Sequence, residues 1–545
     1  MGGEAGLRLI VAWPAMAAAA TIAALGGLHA ATPSTGAASR AHRALESQGS
    51  LVGRSSRAWS APGVLAECRL ASGPRVAFPS EGPATPTGTG AIVWASDPTP
   101  CGSSSRRSAP WGLSVAAVGS IDRPTLVSTQ SLEGASPITL AAVGASFGRV
   151  ALTAASATHE AAGGAIALLQ GRTTARSGWP RLTVRSDLPP ALAHGYLGDV
   201  AIAAVAPGPE IDVRVERYYQ HDFGRARPIP IQNGLVTALT ATMDYRSDVL
   251  LAWQQNGAIY ARMLRASGRG DPTQRVGPSD PNPQIQAVVS DNDHGMIAWS
   301  STEIPKRSTA RTRVYMSLSA AEVRFMAPQL LAAFTDPQQV GRSPGSLALE
   351  RLSTENVMLA WTVAEHGHYS IRAAPAVFAA SSPATRLPEH RSQAILAGLA
   401  PGPAGEAIAL WSSAPRLGGG GLDAHRTELW AARTYIRPHA RVVFGRPEMI
   451  APAGPNATPS VAVDPASDRA VAAWTTLGAT QRIEYAVGAG TGGYRPRPLL
   501  AAAVPPAAGR HWLRIALAAA GLAGVGLLAL ASRRRRRRRR RGAET

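Results

Sequence analysis

A chain of 545 residues with 45% hydrophobic content can hold several ordinary domains or one large closed β unit with tails, and is too apolar to be disordered throughout. The formal charge of +20 would suggest an anionic partner. Nine of those charges are the run Arg533 to Arg541, however, and Lys306 is the single lysine. The basic residues are thus nearly all arginine, in a background of Ala, Gly and Pro that suits a GC-rich composition, and no nucleic-acid role is expected.

Residues 1–31 read as a secretory signal: Arg8, then the apolar stretch Leu9 to Leu28, then small residues before Thr32-Pro33. Residues 32–56 are rich in Ser, Ala and Gly and are expected to be a flexible lead. Cys68 and Cys101 are the only cysteines. In an exported chain such a pair is expected to form a disulfide.

Residues 57–487 carry an internal repeat. Short apolar strands end in Trp94, Trp253, Trp299, Trp361, Trp411 and Trp474, and two degenerate copies end at Ala154 and Ala204. The period is about 54 residues, enough for four strands and their loops. A second short apolar strand precedes each copy, as in Ser460 to Val463, and an alternating strand with an aromatic follows, as in Ala258 to Ala261 or Ile483 to Ala486. Alternation of this kind marks half-buried antiparallel strands. Proline-containing edges such as Arg446 to Met449 and Arg495 to Pro498 fit an outer strand, where no neighbour needs the missing N–H. Trp59 to Gly63 reads as a further outer strand that the N-terminus supplies to close a ring. The fold expected is an all-β propeller of seven or eight four-stranded blades, with each Trp packed between neighbouring blades.

The remaining elements are a stalk over residues 488–510, a transmembrane helix over 511–532 and a cytoplasmic tail over 533–545. Trp512 to Ala531 is apolar apart from Arg514 and is long enough to span a bilayer. The arginine cluster beginning Arg533, Arg534, Arg535 acts as the stop and places the C-terminus inside. The ending is similar to the wall-sorting signal of Gram-positive surface proteins, but no LPxTG-like motif lies between Pro498 and Arg510. Retention in the cell membrane is therefore expected, with the bulk of the chain outside.

Val463-Asp464-Pro465 through Trp474 is the fullest copy of a D-x-x-G-x-A-x-x-x-W-like strand pair, with Arg469 where glycine would be expected. It resembles the repeat of bacterial secreted β-propellers, over about residues 57–500. The resemblance implies a propeller and says almost nothing about activity. Ser290 to Gly295 with Trp299 approximates a sialidase Asp-box, but the Asp293-to-Trp299 interval is one residue too long. An ordinary hairpin turn is the better account. Asp291 and Asp293 are a weak calcium candidate, since no further carboxylate follows closely.

The connections after the Trp strands carry most insertions, and propeller ligands generally meet loops around the axis. Arg307, Arg311, Arg313, His366, His368 and Arg426 are accordingly the candidate ligand rim. No catalytic residues, metal or cofactor are implied. The reading is a monomeric cell-surface propeller that binds a glycan or protein. A glycoside hydrolase or lyase on the same fold is the alternative, and a structural spacer the second.

Overall fold

The computed structural model describes the chain in stretches between Trp59 and Gly488. The chain divides into Met1–Arg57 and Ala58–Thr545, and the described residues belong to the second unit. The signal, lead, stalk, membrane helix and arginine tail lie outside them, as do Cys101 and the side chain of Cys68. Among the described residues no helix is long and apolar enough to cross a membrane.

The described part is all-β, built of antiparallel sheets like the blades of a propeller. There are eight sheets, six with four strands and two with five. The inner strands, in chain order, are Arg75–Ala77, Ile138–Ser146, Ala191–His194, Val236–Met243, Gln284–Val289, Leu347–Arg351, Gln393–Pro401 and Ser460–Val463. All eight repeat positions read from the sequence fall in the second strand of a sheet. Each inner strand touches the next, and Ser460–Val463 touches Arg75–Ala77, so the succession closes on itself.

Local sequence explains these strands. The second strands are covered on both faces and read as unbroken apolar runs, such as Val249–Gln255, buried at every residue. The third strands alternate, because one face meets a sheet and the other is partly open, as in Glu210–Glu216. Asn256 and Gly257 make a two-residue hairpin with φ of 50° and 72°. That left-handed geometry matches the strand twist and suits this Asn-Gly pair. Between third and fourth strands the register shifts at Ile259/Tyr260, Val314/Tyr315 and Leu429/Trp430, at the aromatic position, and in the first sheet at Val115/Ala116.

The tryptophans fill the space between sheets. Trp253 packs with residues of the third sheet, Trp299 with the fourth, Trp361 with the fifth, Trp411 with the sixth and Trp474 with the seventh. Each is buried to 1% exposure or less. An aromatic side chain of this size removes roughly 150–250 Å² from water, a hydrophobic contribution of about 4–6 kcal/mol. Trp253 stacks on Tyr260 at 6.0 Å and Trp299 on Tyr315 at 5.3 Å.

Closure joins the two ends of the described chain. Gly63–Cys68 is the outer strand of the last sheet and pairs with Gln481–Gly488, with Gly63 opposite Tyr485 and Glu67 opposite Arg482. The N-terminal strand thus takes the outer place beside Gln481–Gly488, a little later in sequence than Trp59 to Gly63. Trp59 bridges Gly488, and the Ser60 N–H donates to the Val487 carbonyl at 2.8 Å. At the inner edge the Val76 N–H donates to Ser460 Oγ at 3.1 Å. The same device recurs where Leu347 N–H meets Gln284 Oε1 and Leu396 N–H meets Thr362 Oγ1. A side chain of one sheet thereby satisfies a backbone donor of the next.

Candidate functional site

Propeller function concentrates on the axis and on the loops at its two ends, so the inner strands come first. Residues of Val236–Met243 between the two buried ends remain partly accessible although sheets flank the strand on either side. Ala397 and Arg75 are exposed on equally flanked strands. Solvent reaches these residues along the axis.

Register places the inner strands on a common scale. His194 is the last residue of its strand and lies opposite Val200, the first of the next; Arg351 lies opposite Val357 in the same way. The two therefore occupy equivalent positions in the third and sixth sheets, beside the turn into the second strand. At this level Met243 and Val289 take the same place in the fourth and fifth sheets and Val463 in the eighth. These three and Phe78 are buried, each packed between neighbouring sheets. At the same level the third and sixth sheets carry an imidazole and a guanidinium. Glu350 sits one residue further from the turn, opposite Met358, and Arg75 three residues further, opposite Val93.

The electrostatics follow from this enclosure. Desolvation pulls His194 below its ordinary value, and the nearby Arg351 charge adds to the effect. His194 is thus neutral at pH 7, and its Nδ1 is buried without a hydrogen-bond partner. Burial pushes the Glu350 carboxyl up to about 8, so it keeps its proton at neutral pH. Arg75, an exposed residue, remains a cation. Glu350 is the only carboxyl group on the eight inner strands, and no aromatic residue occurs on them.

The ligand rim read from the sequence is brought together only in part. Arg311 and Arg313 lie two residues apart on Ala310–Leu318 and so share one face; Arg311 is exposed and Arg313 pairs with Glu303 at 3.7 Å. His368 opens the third strand of the sixth sheet, opposite Glu365. The Gln393 amide accepts from the Tyr369 N–H and donates through Nε2 to His368 Nδ1 at 3.1 Å, leaving the imidazole proton on Nε2. Arg426 is 80% exposed and pairs with Asp423 at 3.6 Å. Arg307 and His366 lie outside the described residues, as do Asp291 and Asp293. Among the described residues no group of three or more His, Cys, Asp or Glu could hold a metal ion.

The opposite face carries ion pairs within sheets and, at one point, between them. Asp199 accepts from Arg217 at 2.6 Å within its own sheet and from Ser247 Oγ at 2.5 Å in the next. Asp248 accepts from Arg265 at 3.0 Å and from the Ala266 N–H at 2.6 Å. Arg433 bridges Glu406 at 3.1 Å and Asp468 of the following sheet at 3.3 Å. Burial raises Glu406, against the pull of Arg433. These contacts consume their charges internally and hold the ring together. Sequence reasoning passed over the axial set, although Leu347-Ala-Leu-Glu-Arg351 and Leu192-Ala-His194 each place charge or imidazole at the end of an apolar inner strand.

No family model matches the chain, and no curated protein matches it. Among solved structures it is similar to the β-propeller domain of the trilobed protease of Pyrococcus furiosus, at 8% identity and a TM-score of 0.37, over 70% of this chain and 98% of that one. It is similar to a prolyl endopeptidase at 9% identity and a TM-score of 0.40, over 74% of this chain and 54% of that one. It is also similar to the polysaccharide lyase Uly1 at 9% identity and a TM-score of 0.36, over 65% and 89% of the two chains.

Proposed function

We propose that this chain is an eight-bladed, exported propeller, held at the cell membrane by its C-terminal helix, that binds a glycan or protein at the cell surface. The observation that carries the binding reading is the solitary carboxyl of the inner strands. Glycoside hydrolysis of the usual kind needs two carboxyl groups, about 5–10 Å apart across the scissile bond. The inner strands supply Glu350 alone. The ion pairs of the far face brace the ends of the sheets, and Arg433 reaches across to Asp468 of the next, which suits a rigid scaffold presenting loops. Arg311, Arg313, His368 and Arg426, on three successive sheets, offer hydrogen-bond donors on the loop side.

A lyase is the second reading, and one pair favours it: a neutral imidazole, His194, at the same level of the inner strands as Arg351, whose charge reaches it. A base next to a cation is the arrangement that removes a proton alpha to a carboxylate. The test incubates the full chain with neutral and acidic polysaccharides, following both retention on the immobilised polymer and release of reducing ends or unsaturated product. Retention without product supports the binding reading; turnover overturns it. Protease treatment of intact cells tests the location, since degradation of the propeller with survival of the tail is expected.

A further inference from the structure

We propose that the turn end of the sheets rests on the membrane, its exposed arginines set against anionic lipid headgroups, so that the loop end faces outward. The inference rests on the membrane reading above and adds to it the face that meets the bilayer and the chemistry that holds it there.

The direction of the last sheet carries the first part. Gln481–Gly488 runs antiparallel to Ala470–Leu477, with Gly488 opposite Ala470. Ala470 directly follows the turn that holds Asp464 and Asp468. Gly488 therefore ends at the turn side, where Trp59 bridges it. The stalk read over residues 488–510 starts from this end. To bring the loop end to the bilayer it would first have to run back along the sheet, about 25 Å for eight residues of strand. A linker of that length spans on the order of 25 Å on average, so the turn end is the one within its reach.

The charges at that end supply the second part. Asp199 serves Arg217 and Ser247, Asp248 and Asp271 serve Arg265, and Glu406 and Asp468 share Arg433. Among the described residues no carboxylate at this end is exposed. Arg225, Arg246 and Arg269 on the third and fourth sheets, by contrast, are exposed, as are Arg437 and Arg441 on the seventh. The first group is drawn together: Arg217 Nη2 donates to the Ala266 carbonyl at 3.3 Å and Arg227 Nη1 to the Arg265 carbonyl at 3.4 Å, joining the connection of one sheet to that of the next. In the second group Arg437 lies directly opposite Arg441. Like charges so placed repel, and a layer of lipid phosphates relieves them. Tyr245 is 37% exposed beneath the Arg246 guanidinium, 5.1 Å from its ring centre. A ring with an apolar body and a polar tip suits the headgroup layer.

The experiment is hydroxyl-radical footprinting of the full chain in detergent, in nanodiscs of phosphatidylcholine, and in nanodiscs that also hold phosphatidylglycerol. Tyr245 and Met326 report on the turn end, Leu235 on the loop end and Met449 on the outer side; all four are exposed. Oxidation of Tyr245 and Met326 is expected to fall in the phosphatidylglycerol discs alone, with Leu235 and Met449 unchanged, and to recover at high salt. Each arginine at an anionic surface contributes roughly a factor of five. Arg225→Gln with Arg246→Gln and Arg269→Gln should therefore lower the docked-to-free ratio about a hundredfold and restore oxidation. If that variant loses the near-ultraviolet spectrum of the folded chain, Arg437→Gln with Arg441→Gln gives the same reading at about twenty-five-fold. Equal protection in phosphatidylcholine, unaltered protection in a folded triple variant, or protection of Leu235 and Met449 in place of Tyr245 and Met326 overturns the proposal. Entry into the discs without any protection removes this proposal alone, whereas failure to enter them removes the membrane reading on which it rests.

Discussion

Replacing Glu350 by glutamine tests how far the inner strand of the sixth sheet is shielded from water. In the unfolded chain this carboxyl titrates near 4.5, and in the folded chain near 8. Between those values the folded state holds a proton that the unfolded state has lost, so rising pH favours unfolding. The folded state therefore carries no penalty from Glu350 below about pH 4.5, accumulates one up to about pH 8, and holds it constant above. At about 1.4 kcal/mol per pH unit the full interval is worth about 5 kcal/mol. Glu350 keeps part of its surface accessible, and screening at such a site reduces the expected value to about 2 kcal/mol. Glutamine preserves shape and hydrogen-bonding capacity but cannot ionise. Urea unfolding of the full chain, followed by tryptophan emission from pH 5 to 8.5, should show the wild type losing about 2 kcal/mol more than Glu350→Gln. Parallel profiles for the two proteins would refute the reasoning and show that water reaches the carboxyl freely.

Other expectations concern the scaffold. Trp299→Ala removes a fully buried ring together with its stack on Tyr315 and its hydrogen bond to the Pro278 carbonyl, and should cost about 3–5 kcal/mol in the same unfolding measurement. Asp199→Ala leaves Arg217 and Ser247 without their shared acceptor and should cost about 2–4 kcal/mol, most of it recovered by removing both partners in a double-mutant cycle. Deleting Gly63–Cys68 bares the edge of Gln481–Gly488, and self-association on size-exclusion chromatography is the expected result of that open strand. Ser460→Ala removes one acceptor from the Val76 N–H and should cost only about 1 kcal/mol.

The sheets were legible because their signal is local. A second strand covered on both faces must be apolar throughout, so Val249–Gln255 and its counterparts stand out in any short window. The repeated Trp fixes the spacing, and its burial against the preceding sheet is what a large ring in an apolar strand requires. Arg311, Arg313, His368 and Arg426 stand out in the sequence because the connections after the Trp strands are long and polar. Whether they share a ligand is a matter of loop geometry, which spacing does not encode.

Tertiary structure alone decided the rest. His194 and Arg351 stand far apart in sequence, and only the closed succession of inner strands and their register bring them to one level. Glu350 reads as an ordinary surface acid beside Arg351 until the neighbouring sheets strip away part of its water and raise its affinity for a proton. The partner of Gln481–Gly488 lies at the opposite end of the described chain, because closing a ring pairs strands by position around the axis rather than by order along the sequence. Periodicity records which faces a strand must cover, and a ring determines what those faces meet.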